Sequence, residues 1–177
     1  MNTLRIAALL AFAPALSPCG FKPRRVVALP SDLGPVAVVA PDPYSPLADS
    51  LARALERSGA QPAAQGQSEG VSRLEVLSER WADIPISVDA FGRAQEFSLR
   101  YAVVFRLTRA DGSAGVPQQA VELSRDYIAP AGDARGNSSE RELLVVEMRR
   151  DMTAAILRRV DTALHGASVP VAPATTP

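Results

Sequence analysis

The stretch Glu96-Phe97-Ser98-Leu99-Arg100-Tyr101-Ala102-Val103-Val104-Phe105-Arg106-Leu107-Thr108 is the clearest secondary-structure signal in the 177-residue chain. Every second residue from Phe97 to Leu107 is apolar, whereas the residues between them are mixed in character. Because the side chains of a β-strand alternate between the two faces of a sheet, this pattern predicts a strand with one buried face. We therefore expect a sheet that is covered on one side.

Shorter apolar runs upstream and downstream of this stretch predict three further strands. Residues 36–40 form a continuous apolar run closed by a proline, as expected for an interior strand. Leu74 and Val76 alternate with their neighbours in a strand that continues through Trp81, with or without a bulge. Pro85 interrupts a second alternation, of Ile84, Ile86 and Val88, and favours a sheet edge or a bend there. Residues 121–127 alternate after Asp111-Gly112, a hairpin-turn signal, so this strand is expected to pair antiparallel with the quoted one.

Two amphipathic helices are predicted, one between the first two strands and one after the last strand. The first has Ser45 as its N-cap, Pro46 at its first position and Gly59 just past its end. Its apolar stripe comprises Leu47, Leu51 and Leu55. The last helix is predicted to start at the capping-box sequence Ser139-Glu140-Arg141-Glu142 and to stop at Gly166. Its apolar face comprises Leu144, Val145, Met148, Met152, Ala155, Ile156 and Val160.

The order β-α-β-β-β-α predicts an α+β fold. Two helices that each need to bury an apolar face would pack on a four-stranded mixed sheet and form a two-layer sandwich. The chain length favours one domain, which we assign to residues 36–166. Residues 19–35, which contain three prolines, are expected to be a tether, and residues 167–177 a disordered tail.

The only cysteine of the chain, Cys19, directly follows a hydrophobic leader. The apolar run from Ile6 to Leu16, preceded by Arg5, is too short to span a bilayer and predicts the core of a signal peptide. Leu three residues and Ser two residues before the cysteine complete the pattern of a bacterial lipoprotein signal. In such a protein the thiol receives diacylglycerol, residues 1–18 are removed, and the new N-terminus is acylated.

Two neighbours of Cys19 bear on its processing and destination. Pro18 stands where the processing peptidase normally meets Gly, Ala or Ser, and Gly20 in place of Asp favours the outer membrane over retention at the inner one. The alternative is that Cys19 is an unmodified thiol in an ordinary secreted protein. Acylation is favoured, because an unpaired cysteine is a liability in an oxidising compartment.

Charge and composition argue against nucleic-acid binding and against catalysis. Lys and Arg together number 19 and so do Asp and Glu, so no basic field attracts nucleic acid. With one His and one Cys, no metal-binding or nucleophilic set can be assembled, and no phosphate loop, Gly-x-Ser-x-Gly or His-Glu-x-x-His motif is found. His165 is interpreted as a solvated residue that the helix dipole favours. We expect no enzyme activity, no metal and no cofactor other than the lipid on Cys19.

Three features of the chain resemble the LPS-assembly lipoprotein family LptE. Cys19-Gly20-Phe21, followed by Arg24, looks like the Cys-Gly-Phe-x-Leu-Arg opening of that family, with Pro23 where the family often has Leu. The segment Leu143-Leu144-Val145-Val146-Glu147-Met148 resembles its helix-start pattern. The predicted β-α-β-β-β-α order agrees as well, so the resemblance covers essentially the whole mature chain.

The resemblance implies a function that no residue pattern here indicates by itself. LptE-like proteins are anchored on the periplasmic face of the outer membrane, plug the lumen of the LptD β-barrel, help to assemble it, and bind the lipopolysaccharide that the complex delivers to the cell surface. The alternative is an auxiliary lipoprotein of another periplasmic system, for example of the ABC type. The Cys-Gly-Phe opening and the Glu-Met helix favour LptE. A third class, a lipid-anchored enzyme, is disfavoured by the lack of catalytic motifs.

Binding of lipopolysaccharide would require arginines beside apolar surface, because this ligand carries both phosphates and acyl chains. The candidates are Arg93 in the turn before the quoted strand, Arg100 and Arg106 on its polar face, and Arg135 in the loop before the last helix. The alternative is that all four are solvated or are paired with Glu96, Glu122 and Asp126. The sequence does not decide between these two interpretations.

Overall fold

The computed structural model describes residues 33–129 and 134–166, and side chains in the second range from Ser139 onward. The predictions for the signal peptide, for Cys19, for most of the tether and for the tail therefore fall outside the described residues. Within the described ranges, no helix is long and apolar enough to cross a bilayer.

The described chain forms five strands and two helices. In order they are β1 (Pro35–Val39), α1 (Pro46–Arg57), β2 (Gln61–Pro62), β3 (Ser72–Val88), β4 (Ala94–Thr108), β5 (Ala114–Ile128) and α2 (Ala134–Gly166). The strands lie side by side in the order β2-β1-β3-β4-β5. β1 is parallel to β2 and β3, whereas β3–β4 and β4–β5 are antiparallel hairpins. The predicted two-layer α+β fold with a mixed sheet is confirmed.

The predicted number of four strands is wrong, because β2 adds a fifth. It lies in a segment that reads as a loop, and it pairs Gln61 and Pro62 with Pro35 and Val36 of β1. Two residues are too few to produce a periodic pattern, so alternation could not have revealed this strand.

The apolar face of β4 forms the centre of the core, as predicted. Leu99, Tyr101, Val103 and Phe105 are completely buried. The helices cover this face with residues of the predicted stripes, and those that are fully buried are Leu47, Leu51, Met148, Met152, Ile156 and Val160. The core also includes Leu33, which precedes β1.

Both ends of α1 are formed by the residues that the sequence indicated. The Ser45 side chain accepts a hydrogen bond from the Ala48 backbone N–H at 3.2 Å, which caps the helix. At the other end Gly59 has a φ of 91°, and the backbone N–H of Ala60 donates to the carbonyl of Leu55. This arrangement is a Schellman motif, which requires a left-handed residue and so favours glycine.

β3 and β4 form a long hairpin whose far end extends beyond β1. β1 pairs with β3 only as far as Glu75, whereas the β3–β4 ladder runs to Val88. The register shifts between Val76 and Ser78 and again beyond Pro85. Among the described strands, only β4 lies beside β3 at Pro85, in agreement with the edge or bend predicted there.

The predicted start of the last helix is wrong. α2 begins at Ala134, so Ser139 lies inside the helix and Arg135 lies in its first turn rather than in a preceding loop. A capping-box sequence permits a helix to start but does not require it. Each residue added upstream gains a backbone hydrogen bond without a new nucleation cost, which favours extension.

Candidate binding surfaces

Two of the predicted arginines, Arg100 and Arg106, lie on the sheet face that points away from the helices. Arg106 donates a hydrogen bond through Nε to the carboxylate of Glu75 on β3. This bond holds the pKa of the Glu75 carboxyl below its usual value. Arg100 lies 3.6 Å from the carboxylate of Glu122 on β5, and both side chains are about half exposed. Arg100 thus lies near one of the three acidic residues named as alternative partners, whereas Arg106 is bonded to Glu75, which was not among them.

Arg93 lies in the turn that closes the β3–β4 hairpin. Its Nε donates to Oδ2 of Asp89 at 2.7 Å, and the other oxygen of this carboxylate accepts the backbone N–H groups of Phe91 and Arg93. These bonds, above all the one from the Arg93 backbone, lower the pKa of Asp89. The guanidinium of Arg93 also lies 5.3 Å from the centre of the Phe91 ring, which is 82% exposed.

The structure does not bring the predicted arginines together. Arg100 and Arg106 are six residues apart on one strand, a separation of about 20 Å. Arg93 lies at the end of the hairpin, and the side chain of Arg135 is outside the described part of the chain. Of the three whose side chains are described, only Arg93 lies within cation–π distance of an exposed aromatic ring, that of Phe91.

A polar cluster that the sequence did not reveal lies on the helix-covered face of the hairpin. The hydroxyl of Tyr101 donates to Oε1 of Glu79 at 2.8 Å, and that of Ser45 donates to Oε2 at 3.2 Å. Burial, followed by the hydrogen bond to Glu79, raises the pKa of Tyr101. The indole of Trp81 stacks on the Tyr101 ring with 3.7 Å between centroids. This cluster ties the N-terminus of α1 to β3 and β4.

A second cluster lies farther along the same face. Arg141 of α2 binds Asp83 of β3 through two hydrogen bonds, Nε to Oδ1 at 2.9 Å and Nη2 to Oδ2 at 2.8 Å. The hydroxyl of Tyr127 on β5 donates to the same Oδ1 at 3.0 Å. The bond from Arg141 is the main cause of the lowered pKa of Asp83. This carboxylate thus joins three elements, β3, β5 and α2.

The bulge in β3 explains why alternation missed both clusters. Leu74 and Val76 face the helices, and strict alternation would continue this face with Ser78, Arg80 and Ala82. The extra residue at the bulge shifts the parity, so Glu79, Trp81 and Asp83 pair with Val103, Tyr101 and Leu99 on the buried face of β4.

Exposed apolar side chains concentrate at the far end of the hairpin, which we call the distal end. It comprises the exposed apolar residues Ile84, Ile86, Val88, Phe91 and Ile128. Ile128 belongs to this end because it pairs with Glu96 of β4. Such side chains are usual singly on a surface, but a group of them marks an interaction site.

The described ranges offer no catalytic or metal-binding arrangement. No group of three or more His, Cys, Asp or Glu side chains among them could hold a metal ion. His165 lies in the last turn of α2, with Nδ1 2.9 Å from the Asp161 carbonyl oxygen.

Comparison with known proteins identifies a family and several relatives. Residues 33–160 match the family model described as LptE, lipopolysaccharide-assembly. The chain is 26% identical over 149 residues to the LPS-assembly lipoprotein LptE of Photorhabdus laumondii, a match that covers 84% of this chain and 80% of that protein.

Solved structures of bacterial lipoproteins share the fold. Lipoprotein B of Nitrosomonas europaea matches with a TM-score of 0.66 and 25% identity over 84% of this chain and 94% of that one. A minor lipoprotein of Acinetobacter baumannii matches with a TM-score of 0.62 and 16% identity, covering 75% of this chain and 94% of that one. The family match spans most of the sequence, from Leu33 in the core to Val160 on α2. The chain belongs to the LptE lipopolysaccharide-assembly family.

Proposed function

We propose that this protein is an outer-membrane lipoprotein of lipopolysaccharide assembly, anchored at Cys19, that plugs the LptD β-barrel and helps it to assemble. The observation that carries the proposal is the family match over residues 33–160, which includes all five strands and most of α2. The lipoprotein signal that ends at Cys19 supplies the anchor.

The open edges of the sheet support an enclosed location for the domain. β5 has a strand neighbour on one side only, and beyond Glu75 β3 is paired only with β4 within the described ranges. Open edges present unpaired N–H and C=O groups that tend to pair with other chains. A barrel lumen would shield both edges from such pairing.

The distal end is the part of the described surface that best suits lipopolysaccharide. Arg93 places a guanidinium beside the exposed ring of Phe91, so cationic and apolar groups adjoin there. Arg93, Arg100 and Arg106 all lie beside a carboxylate, but only Arg93 among these three lies within cation–π distance of an exposed aromatic ring. We therefore rank Arg93 first among the proposed ligand-binding arginines, with Arg135 as its proposed companion.

Substitution of Arg93 and Arg135 tests this ranking. If both contact phosphate, each charge-assisted hydrogen bond contributes about 1.5–3 kcal/mol. The double variant Arg93→Ala/Arg135→Ala should then bind purified lipopolysaccharide more than tenfold more weakly, with an unchanged thermal midpoint. The control is Arg80→Ala/Arg158→Ala, which removes two exposed arginines elsewhere. Equal binding by both double variants would exclude Arg93 and Arg135 from the site.

The anchor and the partner can be tested in one experiment. Tagged wild-type protein, extracted from membranes in detergent, should carry acyl chains on an N-terminal Cys19 by intact mass and should co-purify one-to-one with the barrel. Cys19→Ala should appear in the soluble periplasmic fraction, whereas Pro18→Ala should remain anchored. Recovery of an ABC transporter without a barrel would favour the auxiliary-lipoprotein alternative, and an unacylated chain cut elsewhere would rule out the anchor.

A further inference from the structure

A groove of about 520 Å³ runs between α1 and α2 on the side of the helices that faces away from the sheet. Each helix contributes residues spaced three or four apart, from Pro46 to Arg57 on α1 and from Val146 to Leu157 on α2. The α2 side spans eleven residue steps, which corresponds to about 16 Å of helix. The groove is thus long and narrow.

Small side chains leave space open between the two helices at the surface. Ser50 and Ala54 of α1 line the groove opposite Thr153 and Ala154 of α2. Apolar surface is added by Leu157 at one end and by Val146, which is 63% exposed, at the other. This groove could therefore accept the apolar face of another segment of chain.

The rims of the groove carry an excess of positive charge. Four arginines line it against one aspartate, Asp49, whose carboxylate is bonded to Arg53 at 2.6 Å. Within the described ranges Arg57, Arg149 and Arg150 have no carboxylate within ion-pair distance. Arg149 is partly withdrawn from the rim, because its guanidinium lies 6.0 Å from the centre of the Trp81 ring, so the exposed positive charge of the groove rests mainly on Arg57 and Arg150.

The distribution of this charge indicates what kind of ligand fits. Arg53 and Arg57 lie one turn apart on one rim, and Arg149 and Arg150 lie on the other. A single small anion could contact only some of these arginines. An acidic segment with an apolar face would meet several arginines at once and cover the apolar surface between them.

We propose that the α1/α2 groove binds an acidic amphipathic segment of the barrel partner. The inference rests on the proposed function, since it assigns a docking site within that complex. It places the complementary charge on the partner, whose carboxylates would pair with Arg57 and Arg150 at the exposed rims of the groove. The complex is then expected to weaken as salt concentration rises.

Charge reversal in the anchored, full-length protein tests this docking site. Arg57→Glu/Arg150→Glu should reduce the barrel recovered from detergent-solubilised membranes at least tenfold, with an unchanged thermal midpoint. The matched control Arg80→Glu/Arg158→Glu reverses two other exposed arginines that lie outside the groove, and it should retain wild-type recovery. A photo-crosslinker at Ser50 should label an acidic segment of the barrel. Replacement of the acidic residues of that barrel segment by Lys should restore recovery of the barrel with Arg57→Glu/Arg150→Glu.

The outcomes separate this inference from the proposed function. Wild-type recovery by Arg57→Glu/Arg150→Glu, or crosslinks from Ser50 to lipopolysaccharide alone, would overturn the docking site and leave the plug role intact. Equal loss in the control double variant would also overturn it, because general charge would then explain the effect. Absence of the barrel from the wild-type preparation itself would overturn the proposed function, and the docking site with it.

Discussion

The two halves of the β3–β4 hairpin are covered by the same helical layer but are stabilised differently. In the half next to β1, which we call the proximal half, the buried face of β3 carries Leu74 and Val76, which share the core cluster with Leu47 and Leu51 of α1. In the distal half the same face carries Glu79, Trp81 and Asp83. On β3 itself, the buried face is therefore apolar in the proximal half but carries charged and aromatic groups, linked by hydrogen bonds, in the distal half, opposite the buried β4 residues Leu99, Tyr101 and Val103.

This difference implies unequal local stability. The side chains of Asp83 and Arg141 remain about one third exposed, so water competes for their hydrogen bonds. Fully buried leucines are not subject to that competition. A segment with few buried apolar contacts opens at lower cost than the global unfolding of the domain. We therefore expect the distal half to open first, at the end where the exposed apolar side chains lie.

The largest expected effect is the loss of apolar burial in the proximal half. Leu51→Ala removes a completely buried side chain of α1 and should lower the free energy of unfolding by about 2–5 kcal/mol. Ile86→Ala, in the distal half, removes a side chain that is 50% exposed and should cost less than about 1 kcal/mol. Urea unfolding of both variants measures the difference. Equal losses would show that the two halves do not differ in this way.

A smaller effect is expected from the charged cluster of the distal half. Asp83→Asn removes the charge that Arg141 and Tyr127 share, with little change of volume. Because the pair is partly exposed, we expect a loss of about 1–2 kcal/mol. Amide hydrogen exchange should accelerate around residues 79–88 and remain unchanged in β1.

The control for this variant is Glu122→Gln, which removes the more exposed partner of Arg100. Their separation of 3.6 Å and their exposure predict a change of less than about 0.5 kcal/mol. If Asp83→Asn had no larger effect than Glu122→Gln, or if it accelerated exchange equally in β1, the distal cluster would not be a separate stabilising unit.

The sequence predicts structural features that depend on neighbouring residues better than features that depend on which strands pair. The buried face of β4 and both caps of α1 are local patterns, and they were predicted residue by residue. β2 is too short to show a periodic pattern of apolar residues. The bulge near Leu77 exchanges the inward and outward positions of β3 beyond it, so the inward position of Asp83 follows only from its pairing with β4. The ion pairs of Arg93 and Arg106 likewise depend on the turn and on strand register.

The α1/α2 groove shows a different limit of sequence reasoning. Its arginines occur at helical spacing in the sequence, but so do arginines on any solvated helix face. Only the packing of α1 beside α2 places Arg57 and Arg150 on one groove. The candidate surfaces were therefore predictable in chemical type, arginines beside apolar side chains, but not in position.

The smallest expected effect, and the one that most directly separates the two halves, is the change of stability with pH. The hydrogen bonds from Arg141 lower the pKa of Asp83 from its ordinary value of 3.8. A carboxylate whose pKa is lower in the folded than in the unfolded state contributes stability that is fully present above the unfolded value. That contribution is lost as the pH falls through the folded pKa. The difference in unfolding free energy between wild type and Asp83→Asn should therefore be constant near neutral pH and should shrink as the pH falls from about 5 toward 3.

Glu75 provides the proximal counterpart for this measurement, because Arg106 lowers its pKa from 4.5 by the same kind of bond. The difference in unfolding free energy between wild type and Glu75→Gln should also shrink in acid, but at a slightly higher pH, since the ordinary pKa of Glu is higher than that of Asp. Leu51→Ala should keep a constant gap at every pH, because no titrating group is removed. Unfolding free energies at pH 7, 5, 4 and 3 would test this. A gap between wild type and Asp83→Asn that stayed constant down to pH 3 would mean that the ion pair with Arg141 does not stabilise the distal half, and the difference between the two halves would then reduce to apolar burial alone.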